Sequence, residues 1–414
     1  MAKLFYHRIE NFNHLDSIKG VEGYAKRALT MAESDDVVLL DWYEDIIFPP
    51  PEIGLLNKCG FGCKPENVFV VNFDHHRPWR ENYLRNREII EELRRRKLEK
   101  LLPFTGKASI VHLLAEELGI PIESCPMELA RWGEDTATLL EIADESIRPR
   151  GYVCKDNEEV WEKWQELKAL PDFIGKAVIK DRHSASGLGS SVVRNDEDVQ
   201  NFLGSIGDFG ETGGATIEEW YDNDIRSPSI NYFIKKDGEI KELFISDQIF
   251  EDIEPEFGRE GTRIHAGNYC PSTFPEEIQE RIRQITFPLA EKMKENGYWG
   301  PVGFDCIVVN GSKVLVAEIN SRVTGPHYSF RPAKKYGFRY FRQRNEENLK
   351  EDVGIEQVEE VLADFLFKPG KNAGYLVFNF YPGKKFTGAV IAQSPELLKE
   401  FCKKIDPVLE KLKR

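Results

Sequence analysis

No apolar run in this chain is long enough to cross a membrane: segments such as Val37 to Leu40 fall far short of the ~20 residues a spanning helix needs. The first residues, MAKLFYHRIENFNHLD, hold no apolar leader core, so the cytoplasm is the expected compartment. Cysteine is scarce and odd in number, seven residues at 59, 63, 125, 154, 270, 306 and 402, which argues for reduced thiols over a disulfide framework. Positive charge is in deficit, with 56 Lys+Arg against 70 Asp+Glu and a net charge of −14. Such a surface repels polyphosphate and anionic lipid at long range, so neither nucleic acid nor membrane is an expected partner. No internal repeat or long linker is evident. What is present is an ordinary globular composition, 41% hydrophobic and 30% charged over 414 residues, enough for two or three domains and a core that needs no staples.

The pattern along the chain predicts a mixed α/β protein. Up to about residue 110, short apolar runs (Val37 to Asp41, Val68 to Asn72) alternate with polar helical stretches, including a charged helix from Arg80 to Lys100. Helical spacing over Thr105 to Leu118 ends at Gly119, a C-cap, and a second helix is expected over Met127 to Ala143. From Gly175 short strands and tight turns take over, with Asp237-Gly238 marking a hairpin. A helix over Pro275 to Asn296 precedes another hairpin, GFDCIVV-NGSK-VLVAEIN, and the last stretch carries a charged helix, a strand pair around 374–380 and 389–392, and a terminal helix.

Chemistry concentrates in three segments. The first is the strand Ala177 to Lys180, followed by a loop of small residues, Ser184 to Ser191 with Gly187 and Gly189. Such a loop offers backbone N–H and hydroxyl donors without bulk, as close approach to a phosphate chain requires, and Lys180 adds a point charge. It is not a dinucleotide fingerprint, because a strand follows the glycines, and no Walker A motif occurs. The second segment is the strand Thr216-Ile-Glu-Glu-Trp-Tyr221, leading into Asp222-Asn223-Asp224. The third is the hairpin Gly303 to Arg322. Glu318 and Asn320 share a strand face, and with the turn centred on Gly311-Ser312, Asp305 lies opposite Glu318. Two facing carboxylates repel unless a cation sits between them, and this oxygen-only set suits Mg²⁺, with Mn²⁺ as the alternative.

In this order and spacing the three segments resemble the ATP-grasp superfamily over roughly residues 105 to 335. Glu318-Ile-Asn-Ser-Arg-Val-Thr-Gly325 and Ile264-His-Ala-Gly-Asn-Tyr-Cys-Pro271 are similar to the carboxylate-amine and peptide ligases related to pheganomycin peptide ligase. The resemblance implies a pre-ATP-grasp α/β domain at 1–110, a helical connector at 111–172 and a lid at 173–217. A catalytic part at 218–345 and a C-terminal extension at 346–414 would follow. It implies that Lys180, Ser186, Gly187, Gly189, Ser190 and Ser191 hold the phosphates of ATP. Glu218, Glu219 and the Trp220-Tyr221 backbone would hold the adenine, and Asp224 (or Asp222) the ribose. Asp305, Glu318 and Asn320 would be the metal ligands, and Arg322 would join Lys180 in neutralising the transferring phosphoryl group. Arg263, His265, His327 and Arg331, beside these segments, are candidates for substrate contact, as is His183. The implied activity is ADP-forming ligation of a small-molecule acid to an amine, an amino acid or short peptide, and a homodimer fits that family.

One departure stands out. The lysine usual before the lid is missing from Arg131 to Thr138, which leaves Lys155 or Arg131 as replacements. Kinase-like or carboxylase chemistry on the same scaffold, or a regulatory nucleotide-binding protein with a degenerate site, are the alternatives. Asp74-His75-His76 and Cys59/Cys63 read as structural, since neither has the second cluster that a metal centre needs.

Overall fold

Three sheets organise the chain in the computed structural model, which describes residues 1–9, 21–42, 47–74, 76–183, 189–221, 226–252 and 263–414. The first sheet is β1 (Ala2–Tyr6), β2 (Val37–Asp41), β3 (Val68–Val71) and β4 (Leu98–Pro103), ordered β3-β2-β1-β4 and parallel throughout. A parallel sheet must be covered on both faces, and alternate residues show how. Leu4, Tyr6, Val37 and Leu39 pack with Ile110, Val111 and Leu114 of the helix Ser109–Leu118. Phe5, Val38 and Leu40 face the other way, into a core shared with Phe244, Tyr328 and Phe341. The second face therefore docks this domain onto the rest of the chain.

The second sheet is β5 (Gly151–Cys154), β6 (Ala177–Asp181), β7 (Ser190–Val193) and β8 (Ala215–Glu219), antiparallel in the order β5-β8-β6-β7. Helices Asn157–Ala169 and Asp196–Ile206 back it, with Trp164 fully buried beneath. The third sheet has eight antiparallel strands: β9 (Arg226–Ile234), β10 (Ile240–Asp252), β11 (Arg263–Cys270), β12 (Gly300–Val309), β13 (Lys313–Asn320), β14 (Tyr340–Glu346), β15 (Ala373–Tyr381) and β16 (Lys385–Ala392). Their order is β13-β12-β9-β10-β11-β14-β16-β15. The helix Glu276–Glu295 lays Ile282, Ile285, Leu289 and Met293 on Ile230, Tyr232 and Phe304.

The hairpins at Asp237-Gly238 and at 310–312 form as expected, and Gly238 and Gly311 take the positive φ that their turns require. Several boundaries differ from the sequence reading. The charged stretch from Arg80 is two helices, Trp79–Arg85 and Arg87–Arg95, followed by β4. They part at Asn86, whose buried side-chain amide donates to the Asn72 and Asn82 carbonyls at 3.1 and 2.8 Å. The expected helix Met127 to Ala143 is likewise two, Met127–Glu134 and Thr136–Ile142, because Asp135 accepts from the Ala137 N–H at 2.9 Å and so caps the second. Strand β5 comes from the stretch read as a helical connector, whereas the strand pair expected around 374–380 and 389–392 forms as β15 and β16 and joins the large sheet.

Candidate functional site

Lys180 is on β6, an inner strand of the small sheet, paired in register with Ser190 and Thr216 on its two neighbours. Its Nζ donates to Glu218 Oε2 at 3.1 Å and to the Ala317 carbonyl at 3.3 Å, reaching across to the large sheet. Glu218 is buried and accepts a second bond from Thr216 Oγ1 at 2.9 Å. That carboxylate, expected at an adenine, also fixes the lysine. Glu219 points the opposite way, as the next residue on a strand must. It is buried against Arg150 at 2.6 Å and accepts from the Tyr221 hydroxyl at 3.1 Å. The Trp220 N–H donates to the Lys176 carbonyl at 3.0 Å.

Asp305 and Glu318 are cross-strand partners on β12 and β13, and Asn320 follows on the same face, donating through Nδ2 to Asp305 Oδ2 at 2.9 Å. The register shifts between Asp305 and Cys306, where Ala317 is the extra residue of a bulge. Its carbonyl, released from the ladder, is the one that Lys180 takes. Glu318 opens onto solvent in the cleft yet is ringed by protein. Desolvation and then the Asp305 charge push its carboxyl up to about 7, opposed by Arg322 and Lys180. Two carboxylates that resist joint ionisation and an adjoining amide oxygen are a donor set that a hard divalent cation completes, so Mg²⁺ fits these residues. Among the described residues no cluster of three His, Cys, Asp or Glu side chains offers an alternative centre.

Arg322 follows β13 and is paired with the fully buried Glu134 of the helix Met127–Glu134. That helix comes close because Gly133 has no side chain: a Cβ there would stand 2.7 Å from Ser321 Oγ. Glu134 thereby points Arg322 at the cleft, in the field of Glu318 and Asp305. Sequence reasoning missed Lys107. Its amine is buried where β4 ends and the helix Ser109–Leu118 begins, within electrostatic reach of Glu134, Arg322 and Asp135. Burial lowers its pKa to about 8, with Glu134 opposing. The available signal was its place in Thr105-Gly-Lys-Ala, at the carboxyl end of a parallel strand, where open α/β sheets bind ligands. Of the two expected replacements for the missing lysine, Lys155 is an exposed residue paired with Glu159 at 2.8 Å, and Arg131 is exposed.

Of the remaining expected residues, Ser190 and Ser191 lie on β7, and the Gly189 carbonyl accepts from the Asp181 N–H at 2.9 Å, closing the loop's base. Ser186, Gly187 and Asp224 lie outside the described residues. Arg263 starts β11 opposite Asp252. His265, further along β11, opens to the cleft, and desolvation lowers its pKa. His327 accepts through Nδ1 from the Thr324 N–H at 3.2 Å and is neutral, its pKa pushed down to about 4 by burial. Arg331 stands over the Phe5 ring at 5.4 Å, and His183 is anchored to Asp181 by its backbone N–H at 2.8 Å.

Residues 162–326 match the family model of the ATP-grasp domain. Among solved structures, the chain is similar to N5-carboxyaminoimidazole ribonucleotide synthetase from Thermus thermophilus, with TM-score 0.60, 14% identity, and 99% of this chain and 98% of that one covered. A biotin carboxylase β-γ-ATP complex from Campylobacter jejuni matches with TM-score 0.61 and 12% identity over 99% and 91% of the two chains. The biotin carboxylase domain of Hydrogenobacter thermophilus 2-oxoglutarate carboxylase, in complex with MgADP, ADP and bicarbonate, matches with TM-score 0.58 and 14% identity over 97% and 88%. No curated protein matches the chain. At these identities the likeness shows the fold, an N-terminal parallel-sheet domain followed by an ATP-grasp fold.

Proposed function

We propose that this chain of ATP-grasp fold is an ATP-dependent carboxylate-amine ligase of the acid-amino acid or peptide type. The observation that carries the reading is the meeting, in one cleft between two sheets, of Lys180, the Asp305-Glu318-Asn320 face and Arg322. In the proposed reaction a carboxylate oxygen of the acid attacks the γ-phosphorus of ATP, ADP leaves, and an amine then displaces phosphate from the acyl phosphate to form the amide. In-line phosphoryl transfer asks the protein for positioning and charge neutralisation rather than covalent help. Lys180, fixed by Glu218 and the Ala317 carbonyl, holds phosphate oxygens, with donors from the loop that ends at Gly189 to Ser191. Mg²⁺, held by Asp305, Glu318 and Asn320, would neutralise charge on the phosphates. Arg322, oriented by Glu134, faces the oxygens that gain charge in the transfer and in the tetrahedral intermediate, and Lys107 reinforces it.

The small sheet, with the 173–217 segment at its centre, acts as the lid that excludes water from an acyl phosphate prone to hydrolysis. The test is ADP and phosphate release from Mg·ATP, with acids and amines added singly and together. Release that needs both, and an amide product by mass spectrometry, is the expected result. Turnover with bicarbonate or an alcohol in place of the pair would establish carboxylase or kinase-like chemistry, and ATP binding without turnover a regulatory role.

A further inference from the structure

Where the parallel-sheet domain docks onto the large sheet, a second group of polar side chains surrounds a position that the reaction above leaves unused. His7, just past β1, is buried; its Nδ1 meets the Tyr328 hydroxyl at 2.8 Å, while its Nε2 has no hydrogen-bond partner among the described residues. Arg27, on the 3₁₀ helix Val21–Thr30, stacks on the Tyr24 ring at 3.6 Å and lies 5.7 Å from that of Tyr328. Its Nε is buried without a hydrogen bond, and among the described residues no carboxylate is paired with it. His327 accepts at Nδ1, so its Nε2 carries the hydrogen, and that buried donor has no acceptor among the described residues. The buried Asn268, below Gly325, lies beside His265 on β11. Buried polar groups are rarely left unpaired. Unpartnered donors on Arg27 and His327, with the neutral His7 imidazole between two cations, Arg331 and Arg27, that both act on it, describe a place for an anion.

Arg27 also links this position to the reaction centre. Tyr328, which holds His7, follows His327 in the chain, and His327 accepts from the Thr324 N–H two residues past Arg322. The two positions therefore adjoin through the segment that follows β13, and Arg27 acts electrostatically on Tyr328 alongside Arg322. We infer that the acid substrate carries a second anionic group, a carboxylate or a phosphate remote from the carboxylate that is activated, and that Arg27 receives it with His7 and Tyr328 as neutral partners. This rests on the ligase reading and narrows its substrate class to dianionic acids. Local cationic focusing is what lets a protein of net charge −14 bind such an acid.

The test is calorimetric titration of the full chain, saturated with a non-hydrolysable Mg·ATP analogue so that the nucleotide's phosphate positions are filled. The probes are pentanedioate, inorganic phosphate and butanoate at equal ionic strength. One dianion is expected to bind at least about tenfold tighter than butanoate; the pentanedioate arm identifies a dicarboxylic acid and the phosphate arm a phosphorylated one. Arg27→Met should bring dianion affinity to the butanoate level, and Arg27→Lys should retain part of the advantage. Equal binding of all three probes by the unmodified protein, or an Arg27→Met variant that binds as before, overturns the inference. The comparison among probes needs no variant, so a misfolded Arg27→Met leaves the test intact. Failure to bind the nucleotide analogue would count against the ligase reading instead.

Discussion

Glu218 and Glu219 are neighbours in the sequence with separate duties, because a strand turns successive side chains to opposite faces. Glu218 fixes Lys180, so Glu218→Gln should raise the KM for ATP about tenfold through the loss of a charge-assisted bond, with little change in melting temperature. Glu219 joins Arg150 on the far side. Glu219→Gln should cost on the order of 1–3 kcal/mol in chemical denaturation and leave ATP affinity unchanged. The same KM effect in both variants would contradict the assignment. The buried histidines supply a second residue-level expectation. His7 and His327 are held near pKa 3 and 4 by burial, against about 6.5 in an unfolded chain. As pH falls below about 6.5 the unfolded state takes up protons that the native state refuses, so stability is lost on acidification. Denaturation followed from pH 6 to pH 4.5 should show that slope reduced by about 1.4 kcal/mol per pH unit in either His7→Gln or His327→Asn.

At the scale of elements, Asp135 joins two parts of the machine. It caps the helix Thr136–Ile142 and pairs with Arg182 at the end of β6, the strand that carries Lys180. Asp135→Asn keeps a competent cap but loses the charge, so stability should hold within about 0.5 kcal/mol while the KM for ATP rises severalfold. Asp135→Ala should lose about 1 kcal/mol as well, by thermal or urea denaturation. The hairpin that brings Asp305 to Glu318 was legible in the sequence for a subtle reason. The turn is three residues long, so pairing near the tip is offset by one from a simple two-residue turn, and the bulge at Ala317 restores the register before the carboxylates meet. Centring the turn on Gly311-Ser312 placed the pair correctly, but neither the bulge nor the use of its carbonyl by Lys180 could be read. Strand β4 was hidden because Glu99 and Lys100 continue the charge pattern of the preceding helix, and a sheet-edge strand tolerates such residues. The bond from Lys180 to Glu218 could not be read either, since strand alternation states a face, not a partner.

At the scale of the whole molecule, the site depends on residues that only the fold brings together: Lys107, Glu134, Lys180 and Arg322 come from four separate stretches of the chain. Residues within one motif were readable; Lys107 carried only the mark of its place after a parallel strand, and His7 and Arg27 carried none, because the Tyr328 that both meet lies some three hundred positions away. The reach of Lys180 from the small sheet to the Ala317 carbonyl on the large one predicts that a nucleotide held by Lys180 closes one sheet on the other. Limited proteolysis should show the small sheet protected by Mg·ADP in the native protein and unprotected in Lys180→Met. The central claim is that ATP activates a carboxylate, and the measurement that tests it most directly is hydroxylamine trapping. The protein is incubated with Mg·ATP and a panel of mono- and dicarboxylic acids, with hydroxylamine standing in for the amine. The account predicts acid-dependent ADP and hydroxamate in equal amounts, both lost in Glu318→Gln. Release of ADP that is indifferent to every acid, with no hydroxamate formed, would contradict it.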